Sequence, residues 1–488
     1  MADDLSFMSA TELARHLRSR DVTALEVTDA FLRRIDDHNH ETRSFVTVTH
    51  DLALETATRC DAAAQRGTFL GPLHGIPIGI KDLFDLRSGV RNTFGSLPLA
   101  DFVPTETTPY ISRLEAAGAV IVGKTNAPEF GHKGITDNFV TGPTSTPFDL
   151  TRNSGGSSGG SAAAVGAGLV PLAQGTDGGG SLRIPAAWCG VFGYKPSFGR
   201  VPDPTRPDSA AATNPFISAG PIARSVADAA LMLSVMAGPH PRDVFSLAEH
   251  PGPWLQDASV LNGSRIAFIP DFGGFPVESA IIESVSTAVR VFEQAGASVE
   301  QVEFRLPADQ SELSALWRRM SGVMYGTVLE TVKAWGTDLI GDHAEDLTPA
   351  FRDMVVEAQG LSVHDMRRDA VLRTAVQDCL QDVLDEYDFI VTPTLATGPV
   401  VNGSPGTTMG PSQVNGESVD PSIGWCLTYP VNFAGNPAAS IPGGLTSDGL
   451  PVGMQIVGRR QADSAVLTAS SAFEAMSPWA ATYPGVRG

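Results

Sequence analysis

The chain has 488 residues and a formal net charge of −20, from 34 Lys and Arg against 54 Asp and Glu. That balance argues against nucleic acid or an anionic membrane as partner, because gripping phosphate requires a basic face. With 42% hydrophobic and 18% charged residues it reads as a globular protein with a large core, in two or three domains or one large α/β unit.

The beginning, MADDLSFMSATEL, has early acids and no apolar segment of the secretory kind, so cytoplasmic localisation is expected. No uninterrupted apolar run approaches the ~20 residues that span a bilayer. Ser9-Ala-Thr-Glu12 and Thr23-Ala-Leu-Glu26 fit the capping-box pattern and predict two helices. In the second, Val27, Phe31 and Ile35 recur every four residues. That helix should end before the polar cluster Asp36 to Thr42. A third is predicted from Asp51 to Arg66, closed by Gly67.

The pattern then changes. Gly75-Ile-Pro-Ile-Gly-Ile-Lys81-Asp82 is a short apolar run ending in a lysine. A helix over Pro109–Ala117 is followed by a strand over Ala119–Val122. Downstream, Ile281, Val285, Ala288, Phe292 and Ala295 mark one face of a helix stopped by Gly296, before a strand from Val299 to Phe304. Further strands are predicted at Arg265–Ile269, Asp388–Thr392 and Val452–Val457. Alternation of helices with apolar strands indicates α/β architecture around a largely parallel sheet. Residues 203–217 and 395–424 read as loops, and 310–386 as mainly helical. No linker or internal repeat divides the chain.

Several patterns suggest chemistry that their context does not support. Gly118-Ala-Val-Ile-Val-Gly123-Lys124-Thr125 satisfies the P-loop expression, but a helix precedes it and its variable positions are themselves the strand. Gly155-Gly-Ser157-Ser-Gly159 satisfies the nucleophile-elbow expression, yet the segment before it, from Asp149, is polar and turn-like. The later histidines His240, His250, His343 and His364 stand in polar surroundings. Cys60, Cys189, Cys379 and Cys426 are far apart without a CxxC pair, and His38 and His40 form the one close His pair. Neither a zinc site nor a disulfide scaffold is indicated, and reduced thiols are expected.

What remains is a glycine- and serine-rich stretch from Asn153 to Pro185, with one cluster around Ser157 and another around Ser181. Gly178, Gly179 and Gly180 precede Ser181 and can present N–H groups to one point, as a tetrahedral oxyanion requires; one such donor is worth about 3 kcal/mol of barrier. A serine needs a base, and the stretch holds no histidine. Lys81 emerges from Ile76, Ile78 and Ile80. On spacing alone the favoured reading is a lysine snorkelling at a strand end; the alternative is a neutral base with a burial-depressed pKa.

Three segments closely resemble the amidase signature family. GIPIGIKD is similar to the segment carrying its catalytic lysine, here Lys81. GGSSGGSAAAVGAG resembles that of its bridging serine, here Ser157, which in the family follows a cis peptide bond. GTDGGGSLRIP resembles that of its nucleophile, here Ser181. The separation, 181 − 157 = 24, is the family's usual spacing. Gly123–Phe130, Gly190–Pro196, Gly220–Asp228 and Pro451–Gly458 also read like family segments, and the resemblance is weakest over 305–385 and 395–430. Gly178 stands where relatives often carry Thr or Ile, and Thr146 where Asn is expected.

The resemblance implies one amidase signature domain over 1–488. Its parts are N-terminal helices (1–70), a catalytic core (71–235), variable helices and loops (about 305–430) and C-terminal core strands (431–488). The implied fold is a large mixed, mostly parallel central sheet covered by helices on both faces. The implied activity is hydrolysis of a small, uncharged and partly apolar amide, with anilides, esters or carbamates also open, through a seryl acyl-enzyme, without cofactor or metal. Ser181 would attack, Ser157 relay a proton and Lys81 act as base. The amides of Gly178, Gly179, Gly180 and Ser181 would hold the oxyanion, and Asp177 and Arg183 would fix the loop. The expected partner is a small-molecule amide, with neither nucleic acid nor membrane; relatives are often dimers, so a homodimer is one of the open oligomeric states. The alternative is the amidase component of a tRNA-dependent amidotransferase complex, which typically has Gln where Ile184 stands. A non-catalytic binding protein is disfavoured, since all three catalytic positions are filled. Phe94, Phe130, Trp188, Trp317 and Trp425 are pocket candidates, for most of which an ordinary core role is the simpler reading.

Overall fold

The structure, a computed structural model, describes residues 5–211, 213–250 and 252–484. The acids at the chain's very beginning, Ala212 in the loop 203–217, and residues 485–488 of the C-terminal segment lie outside the described residues. Both capping boxes form. Ser9 and Thr23 cap helices Ala10–Ser19 and Ala24–Thr42, with Glu12 and Glu26 reaching back to the cap N–H groups. The second helix does not stop at Asp36. Its polar last turns face solvent, where polarity does not oppose helix, and it ends only at Arg43, whose left-handed backbone donates to Asn39 O at 2.7 Å.

Eleven strands form one sheet. Its order runs Phe45–Val48, Val120–Thr125, Pro77–Lys81, Leu172–Asp177, Ser218–Ala223, Phe192–Lys195, then Ala438–Leu445, Pro451–Gly458, Phe389–Pro393, Arg265–Phe268 and Ser298–Gln301. The strands Pro77–Lys81, Val120–Thr125, Ser218–Ala223 and Pro451–Gly458 are buried at every residue. Successive side chains point to opposite faces, so unbroken burial means that both faces are covered.

The α/β class and the large mixed sheet agree with expectation; the direction of the strands does not. Parallel pairing joins Pro77–Lys81 to both its neighbours and Arg265–Phe268 to both of its own. From Leu172–Asp177 across to Phe389–Pro393 every pairing is antiparallel. A doubly buried strand reads as the same apolar run in either direction, and connections set its polarity. The tight return between Ala438–Leu445 and Pro451–Gly458 fixes one such reversal.

Other differences are local. The helix over 281–295 is divided into Ser279–Val289 and Val291–Gln294, and the strand after it ends at Gln301. The polar segment Asp149–Asn153, read as a turn, is a strand outside the main sheet, paired with Ser145–Thr146. The region 310–386 is helical at Gln310–Ala334, Pro349–Gln359 and Val363–Glu386. Among the described residues no helix is long and apolar enough to cross a membrane.

Candidate active site

Lys81 ends one strand, and Ser181 follows the neighbouring parallel strand Leu172–Asp177, paired through Ile78 with Leu172 and Gly79 with Ala173. Both residues therefore sit beyond the carboxyl ends of adjacent parallel strands, where α/β sheets open a crevice. Ser157 enters from the loop before helix Gly159–Gly166, after a cis peptide bond between Gly156 and Ser157. A cavity of about 540 Å³ opens there, and Ser157 and Ser181 both line it.

Lys81 is fully buried, Ser157 is 3% exposed and Ser181 9%. The Lys81 Nζ donates to Ser157 Oγ at 2.8 Å and to Thr176 Oγ1 at 2.9 Å. Burial holds the ammonium form down, to a pKa of about 7, against the opposing pull of Asp85 and Asp177. The lysine is thus enclosed rather than snorkelling, and a large share of it is neutral near neutrality. Thr176, which the sequence does not single out, completes the amine's surroundings.

The loop at Ser181 is held from below. Burial alone would raise the Asp177 carboxyl, but the charge and hydrogen bonds of Arg183 hold it at about 2. Arg183 Nε and Nη2 each donate to Asp177 at 2.9 Å, and Arg183 also reaches Thr428 O and the side chains of Asn432 and Gln455. The Gly180 N–H donates to Asp177 Oδ1 at 2.8 Å. Among the described residues no protein acceptor takes the N–H groups of Gly178, Gly179 or Ser181. Gly180 has φ +124°, and a Cβ there would stand 2.0 Å from Thr428 Oγ1, so this position requires glycine. A side chain at Gly178 would instead meet Ile217, at 3.1 Å.

The aromatic candidates separate. Phe94, Phe130 and Trp317 line the cavity. Trp188 and Trp425 stack on each other in the core, with ring centroids 4.7 Å apart. Phe94 and Phe130 both adopt positive φ, at 55° and 47°, and their rings stack 5.8 Å apart. Trp317 Nε1 donates to Gly178 O at 2.9 Å, tying the long helix Gln310–Ala334 to the glycine loop. Thr146, at the position where Asn is expected, donates to Trp188 O at 2.7 Å.

The lookalike motifs resolve structurally. Gly123, Lys124 and Thr125 lie within a strand, and Lys124 Nζ donates to Asp85 O. A strand does precede Ser157, but the partner of Ser157 Oγ is Lys81. His240 lies on the cavity wall, and its ring accepts from Arg242 N at 3.3 Å. His250 pairs with Ser464, and His343 with Asp346.

A family model described as "Amidase" matches residues 26–467. The chain belongs to the amidase family. An acylamidase of Rhodococcus erythropolis is 35% identical over 485 residues, covering 99% of this chain and 98% of that protein. The crystal structure of a bacterial aryl acylamidase of the amidase signature enzymes overlays with a TM-score of 0.95 and 39% identity, covering 99% of both chains. A component of the glutamyl-tRNA(Gln) amidotransferase of Chloroflexus aggregans is 35% identical over 492 residues, covering 98% of each. The protein is accordingly a hydrolase acting on carbon–nitrogen bonds other than peptide bonds.

Proposed function

We propose that this amidase cleaves small, largely apolar amides through a seryl acyl-enzyme, with Ser181 as nucleophile, Ser157 as relay and Lys81 as base. The observation that carries the reading is the 2.8 Å contact from Lys81 Nζ to Ser157 Oγ beneath the cavity that Ser157 and Ser181 share. Ser181 Oγ attacks the carbonyl carbon as its proton passes to Ser157 Oγ, whose own proton passes to neutral Lys81 Nζ. The C–N bond breaks as the pair returns a proton to the leaving amine. Water then adds to the acyl ester by the same route, releasing the acid and restoring Ser181. The oxyanion donors are the N–H groups of Gly178, Gly179 and Ser181. Gly180 leaves the expected set because its N–H is committed to Asp177. Asp177 and Arg183 hold the loop.

The apolar wall that includes Phe94, Phe130 and Trp317 favours anilides and other aryl or alkyl amides. Against the amidotransferase reading stands Ile184, a fully buried apolar side chain where that component typically has Gln. The test is hydrolysis of a simple anilide by the purified chain and by the Lys81→Ala, Ser157→Ala and Ser181→Ala variants. Turnover by wild type alone is expected. Full activity in a folded Ser181→Ala protein would overturn the assignment, and strict dependence on glutamine and partner proteins would favour the amidotransferase.

A further inference from the structure

The cavity has two unlike sides. One is apolar, with Phe94, Phe130, Met324, Val328 and Trp335. The other carries charge, with Glu106, Asp203, Arg206, His240 and Arg242. A purely apolar amide would use the first side and leave the second without a partner.

Asp203 is the sheltered charge of the second side. It is partly exposed, on the cavity wall, and accepts from Thr205 Oγ1 at 3.1 Å. Its backbone N–H donates to Asp243 Oδ2 at 2.9 Å. Nearby Tyr110 donates its hydroxyl to Asp85 instead. Burial, with Asp85 and Asp243 as like-charged neighbours, pushes the Asp203 carboxyl up to about 6, against the Thr205 hydrogen bond.

Among the described residues neither arginine forms an ion pair with Asp203. Arg206 spends its guanidinium on the carbonyls of Pro204, Thr205 and Arg242, at 3.3, 2.7 and 3.0 Å, and both arginines are exposed to solvent. Nor do three His, Cys, Asp or Glu side chains converge there as metal ligands, among the described residues. A sheltered carboxylate on a binding wall, with no internal cation, fits a ligand that brings its own positive charge and N–H donors.

We infer that Asp203 binds a substrate ammonium group, so that the preferred amides are amphiphilic, with an aryl or alkyl group at one end and a primary amine at the other. The inference names the substrate class of the proposed hydrolase and rests on that reading for the bond that breaks. Amine binding can be measured without turnover.

The experiment is calorimetric titration, at about pH 8 where Asp203 is ionised, of wild type and Asp203→Asn with three isosteres: 4-phenylbutylamine, 4-phenyl-1-butanol and 4-phenylbutanoate. The amine should bind wild type about tenfold more tightly than the alcohol, the least expected of one charge-assisted hydrogen bond. Asp203→Asn should lose that margin, and Asp203→Glu should keep part of it. Asn keeps an oxygen for Thr205 and relieves repulsion from Asp85 and Asp243, so the variant should fold. The kinetic counterpart is the ratio of kcat/KM for 6-aminohexanoyl anilide over hexanoyl anilide, and for N-(4-aminobutyl)benzamide over N-pentylbenzamide. One ratio should exceed unity in wild type and fall in Asp203→Asn; a merely structural role would lower both substrates together. Equal binding of amine and alcohol, a margin that survives Asp203→Asn, or tightest binding of the carboxylate would overturn the inference. The last result would assign this side to Arg206 and Arg242. Binding preference without hydrolysis of any amide would overturn the reaction and leave the ammonium site standing.

Discussion

Arg183 grips Asp177 through two hydrogen bonds of 2.9 Å, and both side chains are fully buried. A charge pair so enclosed is costly to assemble and far more costly to split, because the survivor is left unpaired in a low dielectric. Here the pair also carries the Gly180 N–H and the side chain of Asn432, so loop geometry and stability share one support.

Asp177→Asn and Arg183→Met should each cost about 3–5 kcal/mol of unfolding free energy. Urea denaturation measures this loss. Arg183→Lys keeps the charge and loses the fork; its kcat should fall more than its KM changes. A Lys variant as active and stable as wild type would remove the loop-holding role.

The Trp317 indole anchors Gly178 at 2.9 Å from outside the loop. Trp317→Phe keeps the apolar surface on the cavity wall and deletes one hydrogen bond, worth about 1 kcal/mol. Since Gly178 is a proposed oxyanion donor, the loss should appear as a roughly fivefold to tenfold drop in kcat. Steady-state kinetics on one anilide separates kcat from KM. An effect on KM alone would make Trp317 a binding surface only.

How much of this is readable in the chain follows from what each feature depends on. The helix starts at Ser9 and Thr23 are legible because a capping box is a contact between residues three apart. Lys81, Ser157 and Ser181 are legible through local motifs, and the structure places Lys81 against Ser157 and both serines on one cavity. Strand direction is not, because connections rather than composition set it. The supports of the loop are hidden for a related reason. Thr428, Asn432 and Gln455 reach Arg183 from more than 240 positions away, and no local pattern marks them. Asp203 stands in a segment that reads as an ordinary loop, and only the cavity gives it meaning.

Gly131 closes the wall beside Ser157. Its φ is +77°, and a Cβ there would stand 2.9 Å from Leu83 Cδ1 and 3.3 Å from Ser157 Oγ. Gly131→Ala must strain the backbone and press on Ser157, the proposed relay, at once. Stability should fall by about 1 kcal/mol or more. Turnover should fall further than that strain explains, because the methyl group displaces Ser157 from Lys81. Comparison of kcat with the melting temperature decides: a stability loss with full kcat would show that the wall moves and the relay does not.

As the proposed base, Lys81 should tie activity to pH and, by the same shift, stability. The amine must be neutral to accept a proton, and burial sets its pKa at about 7. The kcat/KM for a neutral anilide should therefore rise about tenfold per pH unit below that value and level off above it. In the unfolded chain the lysine titrates near its ordinary value of 10.5. Between the two values the unfolded state holds a proton that the folded state lacks, so unfolding free energy rises with pH across the window. The contribution is fully present above the unfolded value and is lost as pH falls to about 7, with a slope of at most about 1.4 kcal/mol per pH unit. Lys81→Met removes the titrating group. The variant should gain stability over wild type near pH 7, and the gain should shrink as pH approaches the unfolded value. Paired denaturation curves across that range measure it. A constant difference between the two proteins, or a flat kcat/KM profile from about pH 6 to about pH 8, would show that Lys81 is not the titrating base.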